Sequence, residues 1–228
     1  MLELRPFAAL GTFRNDWLDA HYHFSFADYF DPARMGAGTL RVWNDDTIQP
    51  GTGFPMHGHR DMEIVTYIRS GAITHEDSLG NRGRTEAGQV QVMSAGTGIR
   101  HAEYNLEAEP TTLFQIWILP RARGLAPRWE TRPFPRSHGK LEILASGLDD
   151  DDAPRINQDA RVLGGTLDAG DTIEHRPFGG TAYVVAARGR LGVNGLDLGP
   201  RDGVVAVDEP TLSITAHEDA ELVIVEVL

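Results

Sequence analysis

Gly51-Thr-Gly-Phe-Pro-Met-His57-Gly-His59-Arg-Asp-Met-Glu63-Ile-Val-Thr-Tyr-Ile68-Arg-Ser-Gly71 is the stretch on which the fold turns. Its second half, Glu63 to Ile68, mixes β-branched and aromatic residues ahead of a turn-forming glycine, which predicts a strand. On a strand, side chains two apart share a face, so His57 and His59 point the same way. Working outward, Thr112-Leu-Phe-Gln-Ile-Trp-Ile118, Ala182-Tyr-Val-Val-Ala186, Gly203-Val-Val-Ala-Val207 and Glu221-Leu-Val-Ile-Val-Glu-Val227 have the same character. No long stretch shows the 3.6-residue period of an amphipathic helix. Many short strands at close spacing predict an all-β chain of sandwiches or barrels.

The chain has 228 residues, room for two compact units of roughly 100 each. A proline- and arginine-rich segment between Pro120 and Pro135 breaks the strand rhythm. It predicts an N-terminal unit over 1–120, a connector over 121–138 and a C-terminal unit over 139–228. Apolar residues at 41% and charged residues at 24% argue against wholesale disorder. With 21 Lys and Arg against 33 Asp and Glu, the net charge of −12 repels a phosphate backbone, so direct nucleic-acid binding is not expected. The opening Met1-Leu-Glu-Leu-Arg-Pro-Phe7 lacks the apolar core of a secretory signal, and no later run reaches the length of a membrane span. A cytoplasmic protein is expected. The run Asp149-Asp-Asp-Asp152, followed by Pro154, reads as a solvated loop tip.

There is no cysteine, so a transition-metal site has to be built from imidazole and carboxylate. His101 and Glu103 repeat the two-residue spacing of His57 and His59, again after a glycine-rich turn, Gly96-Thr-Gly98. Two strands can thus present two ligands each. Four nitrogen and oxygen ligands suit a first-row divalent ion and, on an octahedral one, leave two positions open, which is the pattern of a catalytic site. A His-x-His pair alone is a weak signal and more often a surface pair.

More than the pair is present. Gly51, His57, His59, Glu63 and Gly71, followed by Gly88, His101 and Asn105, resemble the two sequence motifs of the cupin superfamily, with one extra residue before Gly71 and Ser94-Ala-Gly96 in place of Pro-x-Gly. The blocks His23-Phe-Ser-Phe-Ala-Asp-Tyr-Phe-Asp-Pro32, Leu40-Arg-Val-Trp-Asn-Asp-Asp46, His57-Gly-His-Arg-Asp-Met-Glu-Ile-Val-Thr-Tyr67, His75-Glu-Asp-Ser78 and Ala95-Gly-Thr-Gly-Ile-Arg-His-Ala-Glu-Tyr-Asn105 resemble the pirin family in its bacterial quercetinase-type form.

That resemblance implies two cupin barrels, jelly-roll double-stranded β-helices, the second without metal ligands. Its histidines, His138, His175 and His217, are not paired at ligand spacing. The resemblance also implies one divalent transition metal (Fe2+ first; Cu2+, Mn2+, Co2+, Ni2+ or Zn2+ as alternatives) held by His57, His59, His101 and Glu103. Glu63, a ligand in many other cupins, stays open as the alternative fourth. The implied activity is that of a quercetin 2,3-dioxygenase, in which a flavonol is opened by dioxygen with loss of carbon monoxide and Glu103 serves as general base. A monomer is expected. Two rival readings stand beside it: a metal-dependent regulatory protein that binds a protein partner, as eukaryotic pirins do, and a cupin isomerase or sugar-binding module. The aromatic stretch His23, Phe24, Phe26, Tyr29 and Phe30 is read as core packing before pocket lining. His75 is read as a surface histidine, with a place beside the cavity as the alternative.

Overall fold

The computed structural model describes residues 1–135 and 137–228. It is built almost wholly of antiparallel strands in two barrels, each a large sheet closed over by a small one. In the first, a seven-stranded sheet runs in the order Arg128–Pro133, Gln89–Ser94, Glu63–Ser70, Thr111–Ile118, Leu40–Ile48, Leu18–Tyr22, Gly11–Arg14. Opposite lie Thr52–His59, Ile99–Asn105, Ala72–Asp77 and Arg82–Glu86. The second barrel pairs a six-stranded sheet with a four-stranded one. Every strand expected from sequence is present, and none of the described helices is long and apolar enough to cross a membrane.

The two large sheets pack against each other, which explains why their strands read as continuous apolar runs rather than alternating ones. In Glu63–Ser70 the first six residues are all buried. Val65 and Tyr67 join Trp43, Phe114, Tyr183, Val185, Val223 and Val225 in a core shared by both halves. Ile64 and Ile68, on the other face, fill the first barrel. Trp43 anchors the shared core, with ring centroids 5.3 Å from Phe114 and 5.4 Å from Tyr183.

Two stretches lie elsewhere than the segment boundaries suggest. Leu2–Arg5, within the expected N-terminal unit, is a strand of the second barrel's large sheet, paired with Gly203–Val207. An open sheet edge offers unpaired backbone groups, and the chain's first strand covers this one. Within 121–138, Arg128–Pro133 is a strand on the edge of the first barrel, paired with Gln89–Ser94. The prolines misled because proline is compatible with an edge strand. In the aspartate run, Asp149 and Asp152 are exposed, whereas Asp151 is half-buried and accepts from Nε and Nη2 of the Arg161 guanidinium at 2.7 and 2.9 Å.

Candidate metal centre

His57 and His59 come from Thr52–His59, and His101 and Glu103 from its antiparallel neighbour Ile99–Asn105, with His101 directly opposite His57. The two strands run close: a Cβ on Gly53 would stand 2.1 Å from the Glu103 carbonyl oxygen, so only glycine fits there. Between His57 and Phe54 the register slips by one residue, at Pro55 and Met56. Proline is at home in such a bulge.

The three imidazoles converge. Ring centroids are 4.8 Å apart for His57 and His59, 4.5 Å for His57 and His101, and 5.0 Å for His59 and His101. One nitrogen from each lies within 4.8 Å of the others, so that small side-chain movements bring all three onto one ion at ligand bonds of about 2.1 Å. Their hydrogen bonds leave lone pairs for it. His57 Nδ1 donates to the Pro55 carbonyl at 2.7 Å, which frees Nε2. His101 Nδ1 faces His75 Nδ1 at 3.5 Å, and its Nε2 is buried without a partner among the described residues. Burial, reinforced by the neighbouring histidines, lowers the pKa of His59 to about 4. Burial likewise lowers His101 to about 4, against the opposing pull of Glu103. Both rings are therefore neutral near pH 7, the form that ligates.

Glu103 lies within the same reach of His101 and His75, though it is not in the group formed by His57, His59 and His101. Its carboxylate accepts from Gln91 Nε2 at 2.6 Å and from Gln115 Nε2 at 3.0 Å. Thr66 Oγ1 links the two amides, accepting from Gln91 and donating to Gln115 Oε1. Glu63 points elsewhere. Its neighbour Ile64 lines the cavity, so Glu63 faces the second barrel, accepting from Ser94 Oγ of the adjacent strand at 2.6 Å and from Asn157 Nδ2 across the gap at 3.0 Å.

His75 is not a surface residue: it is fully buried, stacked on Trp129 with centroids 4.8 Å apart and planes 11° apart. The indole needs Gly83 beneath it, where a Cβ would come within 2.3 Å. His75 Nε2 bonds Asp77 Oδ2 at 3.0 Å. The aromatic stretch divides: Phe24 is core, Phe26 lines the cavity and Phe30 is exposed. In the second barrel, His138, His175 and His217 bond Asp168, Glu226 and Asp197 respectively.

The histidines open onto a cavity of about 340 Å³ with walls from Phe26, Phe54, Ile64 and Trp117 and a polar side from Asn44, Asp46 and Gln115. Sequence reading passed over Asn44, Asp46, Gln91 and Gln115 as site residues. In Gln89–Ser94 and Thr111–Ile118 the usable signal was a glutamine flanked by apolar residues, whereas in Leu40–Ile48 the intervening Asp45 hides the pair Asn44 and Asp46.

Comparison with known proteins places this arrangement. The pirin family model matches residues 4–118, and that of the quercetinase C-terminal cupin domain matches 143–227. A Pseudomonas aeruginosa protein provisionally named quercetin 2,3-dioxygenase is 58% identical over 100% of both chains. The quercetin 2,3-dioxygenase of Escherichia coli K12 is 39% identical over 98% of this chain and 97% of its own. The crystal structure of the bacterial pirin YhhW from Escherichia coli in complex with nickel(II) superposes with a TM-score of 0.94 at 38% identity, covering 100% of this chain and 99% of that one. The chain belongs to the pirin family, as a bacterial two-cupin member.

Proposed function

We propose that His57, His59 and His101, with Glu103 as the fourth ligand, hold one divalent transition metal, and that the protein is a dioxygenase of the quercetin 2,3-dioxygenase type. The observation that carries this reading is the convergence of three imidazoles at the mouth of an apolar cavity, with the buried Nε2 of His101 unpartnered among the described residues. The donor set suits iron, nickel, copper, manganese or cobalt. Relatives that carry the quercetin dioxygenase name and a nickel-bound structural neighbour support it.

When bound, the metal supplies Lewis acidity toward the 3-oxygen of a flavonol. The chain supplies the rest. Each carboxylate oxygen of Glu103 accepts one amide hydrogen and keeps a lone pair, so the group can take the 3-hydroxyl proton while Gln91 and Gln115 hold it in place. Phe26, Phe54 and Trp117 give flat apolar surfaces against which an aromatic ligand packs and from which water is excluded. The overall reaction consumes one flavonol and one dioxygen and yields a phenolic ester and carbon monoxide.

Oxygen uptake and carbon monoxide release tests the assignment, with quercetin as substrate and the protein either metal-loaded or stripped by a chelator. The expected result is equal consumption of oxygen and flavonol by the loaded protein alone. Flavonol loss at the same rate in the stripped protein contradicts it.

A further inference from the structure

The cavity wall contributed by Leu40–Ile48 carries a feature that the metal chemistry leaves unused. Asn44 and Asp46 sit two apart, share a face, and both line the cavity. Each is almost wholly buried, and each keeps a side-chain oxygen, Oδ1, with no hydrogen-bond partner among the described residues. Their neighbours in the wall are engaged: Gln115 with Glu103 and Thr66, Glu103 with two amides, His57 with Pro55. Asp45, between them, faces the other way and is held by Arg69 and Arg201. Buried acceptors without partners are uncommon in folded proteins, and an uncompensated pair in one wall of a cavity points to a ligand that brings donors.

We propose that Asn44 and Asp46 form a hydroxyl-recognising subsite, which selects aromatic ligands bearing ring hydroxyls beyond the oxygen presented to the histidines. This rests on the dioxygenase reading for the choice of ligand, though not for the subsite itself. Burial, with the charges of Asp45 and Glu103 nearby, holds the Asp46 carboxyl well above the usual carboxylate range. Burial thus favours the protonated form of Asp46, which has one O–H to give and one carbonyl to receive. Beside an amide, that makes an uncharged patch of donors and acceptors, suited to neutral hydroxyls and poorly suited to an anion or a cation. The terminal torsions of Asn and Asp are soft, so each can turn its oxygen toward an incoming donor.

Placement agrees. Asn44 lies opposite Gln115 in the strand register, and Gln115 holds Glu103. The subsite therefore begins about 5 Å, one strand spacing, from the residue that positions the carboxylate, and Asp46 lies roughly 7 Å further along the strand. A ligand that reaches both the histidines and Asp46 has the breadth of a multi-ring aromatic, not of a single small acid.

The test compares binding of quercetin and of 3-hydroxyflavone, which keeps the 3-hydroxyl and lacks the others, by quenching of tryptophan fluorescence. It uses the purified protein and the variants Asn44→Leu, Asp46→Leu and Asp46→Asn. The unaltered protein is expected to favour quercetin by at least about tenfold. Either leucine variant is expected to weaken quercetin binding far more than 3-hydroxyflavone binding, bringing the preference within about twofold. Asp46→Asn, whose amide keeps a donor and an acceptor, is expected to retain most of the preference. Should the leucine variants fail to fold, the alanine variants read the same loss. A preference that survives in the leucine or alanine variants, or is missing from the unaltered protein, overturns the subsite even where quercetin is turned over. Catechol and its dimethyl ether separate the two failures. If neither flavonol binds, yet catechol outbinds the ether and loses that advantage in the leucine variants, the subsite stands and the flavonol reading falls.

Discussion

His101 and His75 face each other Nδ1 to Nδ1 at 3.5 Å, and this contact fixes which nitrogen of His101 is free. Two ring nitrogens share a hydrogen only if one donates. With Asp77 Oδ2 at 3.0 Å from His75 Nε2, the consistent chain has His75 donating to Asp77 from Nε2 and accepting from His101 at Nδ1. His101 then keeps its lone pair on Nε2, the atom buried among the other two imidazoles.

Replacing His75 by phenylalanine therefore keeps the stack on Trp129 and removes the acceptor. Metal affinity is expected to fall by about 10- to 100-fold, read by competition with a chromogenic chelator. Asp77→Asn is expected to give a smaller loss in the same direction. Unchanged affinity in both variants means the histidine pair plays no part in orienting His101.

Gln91 and Gln115 hold Glu103 from two sides. Substituting either by leucine frees the carboxylate, and the oxygen-uptake rate with quercetin is expected to drop by about 10- to 100-fold. Metal content is expected to hold, because the three histidines are untouched. Full activity in both variants indicates that the position of Glu103 is immaterial to turnover.

Acid sensitivity has an identifiable source in His23. Burial, and then the positive charges of Arg201 and other neighbours, lowers its pKa from 6.5 to about 3. The unfolded chain takes up a proton below about pH 6.5 that the folded chain refuses until about pH 3, so stability drains away as pH falls through that window. The slope approaches about 1.4 kcal/mol per pH unit for this one group. Urea unfolding of the unaltered protein and His23→Phe at several pH values between 6.5 and 4 checks it. The variant starts lower, having lost the 2.7 Å bond to the Tyr183 hydroxyl, and is expected to decline less steeply. Parallel curves would rule His23 out.

Asp45, fully buried, is bonded by Arg69 of its own barrel and Arg201 of the other. Asp45→Asn leaves two guanidinium groups without their carboxylate, and unfolding free energy is expected to fall by about 3–5 kcal/mol. Chemical denaturation measures it; a change below about 1 kcal/mol shows that the arginines find solvent instead.

Much of this was legible in sequence, for a physical reason. Strands buried on both faces, such as Glu63–Ser70 and Ala220–Val227, announce themselves as largely apolar runs without strict alternation, and histidines two apart on a strand must share a face. The remainder depended on contacts between distant segments. Nothing local in Leu2–Arg5 says that it pairs with Gly203–Val207, some 200 residues away. His75, among Glu76, Asp77 and Ser78, has polar neighbours in sequence and an indole and an imidazole as neighbours in space. Glu63 and Glu103 look equivalent as carboxylates near a histidine. Only the pleat, which turns Ile64 into the cavity and Glu63 out of it, separates them.

Elemental analysis of the purified protein beside His101→Ala reaches the centre of the matter, because the proposed function needs His57, His59 and His101 to share an ion. The expected result is one divalent metal per chain in the unaltered protein and almost none in the variant, with both folded by circular dichroism. Equal metal in the two, or none in either after growth and purification with metal supplied, contradicts it.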